Sequence, residues 1–139
     1  MSSTVGSRQV PKGTLQLVSL RPGTVFLADC PARLAIEIIA SKWAVVTLFA
    51  LSDGPLRHGD LVELIGGVSR KVLTQTLRRL QDNGLVERRV YAEAPPRVEY
   101  SLTELGRTLE EPITELTQWA RSNGEAIVTF REAAEAKDA

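Results

Sequence analysis

Hydrophobic and polar positions along this chain follow two different periods, and the change falls at Gly84. Upstream of it, Leu73, Leu77 and Leu80 recur at i, i+4 and i+7, the 3.6-residue period of a helix, while Arg70, Lys71, Thr74, Gln75 and Arg78 take the opposite side. Ser69 stands where an N-cap belongs, Val68 before it is placed to pack on Leu73 as a hydrophobic staple, and Gly84 supplies the left-handed residue that ends such a helix. Downstream the period is two. Val86, Arg88 and Val90 alternate with Glu87, Arg89 and Tyr91; beyond the string AEAPP, Val98, Tyr100 and Leu102 alternate with Glu99 and Ser101. A helix running directly into a two-stranded hairpin is the skeleton of a winged helix.

Helical periods also organise the flanks. Asp29-Cys30-Pro31 is expected to open a first helix, with Pro31 in the first turn where its missing N–H costs nothing, and Leu34, Ile38 and Ile39 give that helix an apolar face. After Lys42-Trp43 a second helix carries Val45, Val46, Leu48, Phe49 and Leu51; it is apolar on most sides and is expected at the centre of the core. Asp53-Gly54-Pro55 ends it, Leu56 and Arg57 are expected as a short strand joining the hairpin, and residues 58–65 form a short helix before the Gly66-Gly67 turn. The order of helix, turn and helix is that of a helix-turn-helix. Past the hairpin, Thr103 caps a helix with a stripe through Leu105, Leu109, Ile113, Leu116 and Ala120 and with Trp119 beside it. Pro112 inside that pattern predicts a kink, and Ser122-Asn123-Gly124 predicts a break before Ile127, Val128 and Phe130.

The polar side of the central helix has the chemistry of the DNA major groove. Arg and Lys reach guanine O6 and N7, Gln pairs with adenine, and Thr touches the thymine methyl; all of them also hold phosphates. Ser69, Arg70, Lys71, Thr74, Gln75 and Arg78 are therefore candidate contacts, and Arg88, Arg89 and Arg97 in the hairpin are placed to meet phosphate or the minor groove. The bland alternative is an ordinary solvated face.

Three strings, CPARLAIEIIASKW at 30–43, LTQTLRRLQDNGLVERRVY at 73–91 and PPRVEYSLTELGRTL at 95–109, resemble HxlR-type bacterial transcriptional regulators over about residues 30–119, and PPRVEYSLTELG is the most specific of them. The resemblance implies an α+β, mostly helical fold: a winged helix-turn-helix domain with extra N- and C-terminal dimerisation helices. It implies a homodimer on double-stranded DNA, with the terminal helices pairing with the N-terminal helix across a two-fold axis. It also makes Cys30 a candidate redox switch, since some members sense oxidants or electrophiles through a cysteine at this position. The expected division is an N-terminal arm at 1–28, partly disordered, the winged helix-turn-helix domain at 29–121 and a C-terminal helical extension at 122–139. The arm departs from the family pattern, whose members generally start near the Cys-Pro pair. Its apolar runs at 15–20 and 24–27 around Arg21-Pro22-Gly23 predict a hairpin or an extended segment.

Composition narrows the function further. With 139 residues, 43% hydrophobic and 24% charged, the chain fits one small domain. Net charge is zero, against a general nucleic-acid coat, yet residues 57–100 hold eight Arg or Lys against six Asp or Glu, and residues 103–139 hold four against eight. No apolar run approaches the ~20 residues of a membrane span and no secretion signal opens the chain, so no membrane partner and a cytoplasmic location are expected. Cys30 stands at a helix N-terminus, which lowers a thiol pKa, whereas Asp29 opposes that effect. With one cysteine and one histidine, His58, no metal site is expected, and no cofactor. Neither a Gly-rich phosphate loop nor a G-x-S-x-G elbow occurs, and an enzyme is not expected.

Three functions stand: a dimeric transcription factor gated by oxidation or a small-molecule effector; a winged helix serving as a protein-interaction module without specific DNA binding; and a ligand-binding protein using Trp43, Phe49 and Trp119 as an effector pocket, residues that serve equally well as plain core.

Overall fold

The computed structural model describes residues 31–138. Cys30 and the N-terminal arm with its two apolar runs lie outside the described residues. The chain divides into two units, one ending at Ala40 and the other beginning at Ser41. The first contributes α1 (Pro31–Ile39), in which Pro31 occupies the opening position and Arg33 pairs with Glu37 one turn on at 3.0 Å.

The second unit carries the winged helix. Its elements are α2 (Ala44–Ala50), a 3-10 turn (Leu51–Asp53), α3 (His58–Ile65), α4 (Arg70–Asp82), β1 (Val86–Tyr91), β2 (Arg97–Leu102), α5 (Glu104–Arg107) and α6 (Glu110–Asp138). Helix α2 packs against α3, α4 and α6; α3 packs on α4 and β2; and α4 packs on β1. The core between them is built by Leu48, Leu51, Leu61, Leu73, Leu77, Leu80 and Val86, all fully buried. One polar group enters it, and Thr47 Oγ1 is satisfied there by donating to the Trp43 carbonyl at 2.7 Å.

The ends of α4 are fixed by short-range chemistry. Ser69 Oγ accepts from the Val72 N–H at 3.1 Å, the N-cap bond expected of it. At the other end Gly84 takes φ +79°, its N–H donates to the Gln81 carbonyl and the Leu85 N–H donates to the Leu80 carbonyl, a Schellman closure with Leu80 and Leu85 buried together. The chain then enters β1. Antiparallel register pairs Val86 with Leu102, Arg88 with Tyr100 and Val90 with Val98, and Leu56 adds an isolated antiparallel bridge to Tyr100. Val86, Tyr100 and Leu102 are buried at the base of the hairpin, while Val90 near its tip is exposed.

Thr103 ties this hairpin back to α4. Its hydroxyl donates to the Gly84 carbonyl at 2.6 Å and accepts from the Gly106 N–H at 3.0 Å, so one side chain closes the hairpin and caps α5. Gly106 is buried so close to the Leu85 carbonyl that no Cβ fits there.

Three expectations are corrected. Helix α2 is not covered all round: Ala44, Thr47 and Leu48 are buried, but Val46 and Phe49 stay 42% and 45% exposed, because helices pack on only part of its circumference. Pro112 does not kink a helix from within. The helix opened by Thr103 stops at Arg107 and α6 begins at Glu110, which puts Pro112 in the first turn of α6, where its missing N–H breaks no bond and its ring restricts only the preceding turn. Residues 122–124 do not end the helix. α6 runs through them, the Asn123 side chain donates to the Trp119 carbonyl at 2.9 Å, and a lone glycine costs a helix only ~1 kcal/mol.

These placements give opposite signs to two glycine substitutions. Gly106→Ala should lower the free energy of unfolding by about 1–3 kcal/mol because its methyl meets the Leu85 carbonyl. Gly124→Ala, with open space around it, should raise stability by about 0.5–1 kcal/mol. Urea denaturation of both variants measures the pair, and equal effects would contradict the packing described at Gly106.

Candidate nucleic-acid interface

The leucine seam of α4 turns its other face to solvent. Because Leu73, Leu77 and Leu80 must all point inward, Arg70, Lys71, Thr74, Gln75 and Arg78 are held outward along a helix that rises about 20 Å over its length. Arg70, Lys71, Gln75 and Arg78 have no ion-pair or side-chain hydrogen-bond partner among the described residues, so their cationic and amide groups are unoccupied. Thr74 differs, since its Oγ1 donates to the Arg70 carbonyl at 2.9 Å and lies 2.9 Å from Nε2 of His58 on α3. Ser69 differs too, being engaged as the cap.

The three hairpin arginines are separated by the pleat of the sheet. Arg88 shares a face with Val86 and Val90, is exposed, and has no charged partner among the described residues. Arg89 lies on the other face and pairs with Glu87 at 3.0 Å. Its pKa is raised, first by Tyr91 and then by Glu87, and it stays charged at every pH of interest. Arg97 stacks on the Tyr91 ring, 4.1 Å from its centroid, with Glu93 at 3.3 Å and Glu99 at 3.7 Å. One face of the hairpin is thus a locally neutralised cluster. An exposed pair such as Arg89–Glu87 is worth about 0–1 kcal/mol and can exchange a carboxylate for a phosphate, whereas Arg97 is half-buried against Tyr91 and Glu99.

The three aromatic residues expected around an effector are not gathered on one wall. Phe49 lines an open apolar groove of about 430 Å³ between α2 and α6 with Val45, Val46, Leu116 and Ala120. Trp43 and Trp119 do not line it. Trp43 instead sits before α2 with Lys42 Nζ 5.4 Å from its ring centroid and its edge near Gly67, and Trp119 is 54% exposed. Helical phase explains the dispersal: the α6 side of the groove is centred on Thr117 and Ala120 with Leu116 at its edge, and Trp119 lies beyond Leu116, turned away from it.

Two residues at this surface escape the periodicity argument. Arg79, one position beyond Arg78, borders a small cleft with Val72, Gln75 and Thr76. His58 touches Thr74 across sixteen residues of sequence, a contact that no local pattern encodes. Among the described residues no group of three or more His, Cys, Asp or Glu could hold a metal ion, and no single helix is long and apolar enough to cross a membrane.

Two packed helices joined by a turn, the second with an unpartnered basic and amide face, and an antiparallel hairpin directly after it define a winged helix-turn-helix protein. The chain belongs to the HxlR-like helix-turn-helix family, whose sequence profile matches residues 38–128. The HTH-type transcriptional regulator YtfH of Escherichia coli is 39% identical over 113 residues, covering 81% of this chain and 90% of that protein. Among solved structures, the transcriptional regulator YtfH from Salmonella typhimurium superposes with a TM-score of 0.68 at 39% identity, over 77% of this chain and 96% of that one. The redox regulator HypR in its reduced form superposes with a TM-score of 0.66 at 34% identity, over 71% and 98%.

The division of labour on α4 is measurable without a ligand. Ser69→Ala should cost about 1 kcal/mol of stability through loss of the cap. Arg78→Ala, exposed and unpartnered, should stay within about 0.5 kcal/mol of the parent. Thermal unfolding followed by circular dichroism reports both, and a large loss at Arg78 would show that this face is structural.

Proposed function

We propose that this chain is a sequence-specific double-stranded DNA-binding transcriptional regulator acting as a homodimer in the cytoplasm, with α4 as its recognition helix. The observation that carries the reading is the row of unpartnered Arg70, Lys71, Gln75 and Arg78 on a helix whose orientation is fixed by three buried leucines. Arg and Gln are the side chains that read guanine and adenine edges, and Lys and Arg anchor phosphates. Ser69 stands at the helix N-terminus, where a phosphate is favourably held, and Arg88, Arg89 and Arg97 meet the backbone from the wing. The transcriptional regulator YtfH and the redox regulator HypR share the fold, which supports a regulatory use here.

A dimer is supported by α6. The helix exposes Leu116 (50%), Trp119 (54%), Ile127 (52%) and Phe130 (79%), spaced so that they share one side of a continuous 29-residue helix. A soluble protein seldom leaves such a stripe open, and a second copy would cover it. In this reading residues 29–121 form the DNA-binding domain, residues 1–28 an arm, and residues 122–139 the far half of the dimer helix. Two-fold symmetry would set the recognition helices about one DNA turn, ~34 Å, apart. Ile127→Glu should yield a monomer by sedimentation equilibrium, and a dimer that survives it would place the interface elsewhere.

Regulation is proposed at Cys30, the only thiol of the chain, on the strength of the likeness to the redox regulator HypR. An effector in the Phe49 groove is the second way to gate the same dimer. Fluorescence anisotropy on a duplex recovered from a random pool tests the whole. Log affinity should fall linearly with log salt; Arg78→Ala should weaken the selected duplex by about 5–150-fold if it holds a guanine; and diamide should release DNA from the parent but not from Cys30→Ser. Binding without salt dependence or sequence preference would favour a protein-interaction module instead.

A further inference from the structure

His58, the only histidine of the chain, touches the candidate interface at Thr74 but is given no base or phosphate contact above. It opens α3, and its Nε2 lies 2.9 Å from Oγ1 of Thr74 on the exposed face of α4. Thr74 Oγ1 also donates to the Arg70 carbonyl at 2.9 Å. A hydroxyl has one proton; when it is donated to the Arg70 carbonyl, the bond to His58 is one that Thr74 accepts, and Nε2 then carries the imidazole proton. In that arrangement the donor and one lone pair of the hydroxyl are engaged within the protein, back along α4 and across to α3.

With its proton committed to Arg70, Thr74 can donate to no base, and its γ-methyl is the apolar group that it can offer a ligand. In the major groove its natural partner is the C5-methyl of thymine, the one apolar group that a base edge presents there. A threonine free of such restraint divides between two side-chain conformations in a helix, and a free hydroxyl bonds several bases without choosing among them. His58 converts an ambiguous residue into a selective one.

We propose that Thr74 reads thymine through methyl contact and that His58 is the positioning residue that keeps its hydroxyl turned away. The inference rests on the reading of α4 as the recognition helix and adds to it a base, an atom and a supporting residue.

The test uses the full chain and a duplex that it selects from a random pool, with each thymine replaced in turn by uracil, which removes only the C5-methyl. Uracil at one position of each half-site should weaken the parent about fourfold, the effect of one buried methyl. Thr74→Ser, which keeps the hydroxyl and loses the methyl, should abolish that sensitivity, and Thr74→Val should retain it. His58→Gln, which still offers an N–H, should keep the uracil effect; His58→Phe, similar in bulk with no donor, should reduce it below about twofold at an unchanged salt slope, because Thr74 regains its second conformation. Indifference to uracil at every thymine, or a Thr74→Ser protein as sensitive as the parent, overturns the proposal. So does a His58→Phe protein that binds all duplexes more weakly with a shallower salt slope, since His58 is then a phosphate contact. Failure of the parent to select any duplex rejects the DNA reading itself, and this inference with it, before any variant is made.

Discussion

What α4 presents to solvent depends on the burial of Leu73, Leu77 and Leu80. Each is fully buried, and truncating such a residue in a core costs about 2–5 kcal/mol, so α4 has one stable rotation about its axis. That rotation determines which residues face out. The Ser69 cap and the Gly84 closure then determine where the helix starts and stops, and the Schellman pair of Leu80 and Leu85 carries the chain straight into β1. Thr103 returns the hairpin to the same junction through the Gly84 carbonyl. Helix α4 and the hairpin are consequently tied together at one hydrogen-bonded junction rather than joined by a free loop.

Charge is distributed on that junction unevenly. The helix holds its cations without carboxylate partners, whereas the Arg89 and Arg97 face of the wing is balanced by Glu87, Glu93 and Glu99. A zero net charge and a locally free basic helix are compatible for this reason. In the proposed DNA reading, long-range attraction to nucleic acid is weak and discrimination falls to short-range contacts of α4. The wing would add Arg88, which has no carboxylate partner among the described residues, and the exposed Arg89–Glu87 pair, which exchanges partners at little cost.

Local rules carried the sequence reading wherever local physics decides the outcome. The bounds of α3 and α4, the Ser69 cap, the Gly84 closure and the hairpin all follow from periodicity and cap chemistry, whereas the strand expected at Leu56 and Arg57 is a single bridge from Leu56 to Tyr100. The reading fell short where tertiary context or helical phase decides. Pro112 and Gly124 look like interruptions in a one-dimensional pattern, yet the first falls in an opening turn and the second is tolerated within a long helix. Trp43, Phe49 and Trp119 are apolar enough for a pocket, but their positions around two helices disperse them. His58 and Thr74 are sixteen residues apart, and their hydrogen bond exists only because α3 packs on α4.

Whether the outward face of α4 is a surface for duplex DNA is read from residue-resolved amide shifts of the isotopically labelled protein, followed by NMR as a selected duplex is added. The perturbed amides should gather at residues 69–78 and at the wing around Arg88, with the outer half of α6 little changed. Shifts confined to α6 and the Phe49 groove, with α4 silent, would contradict the DNA reading.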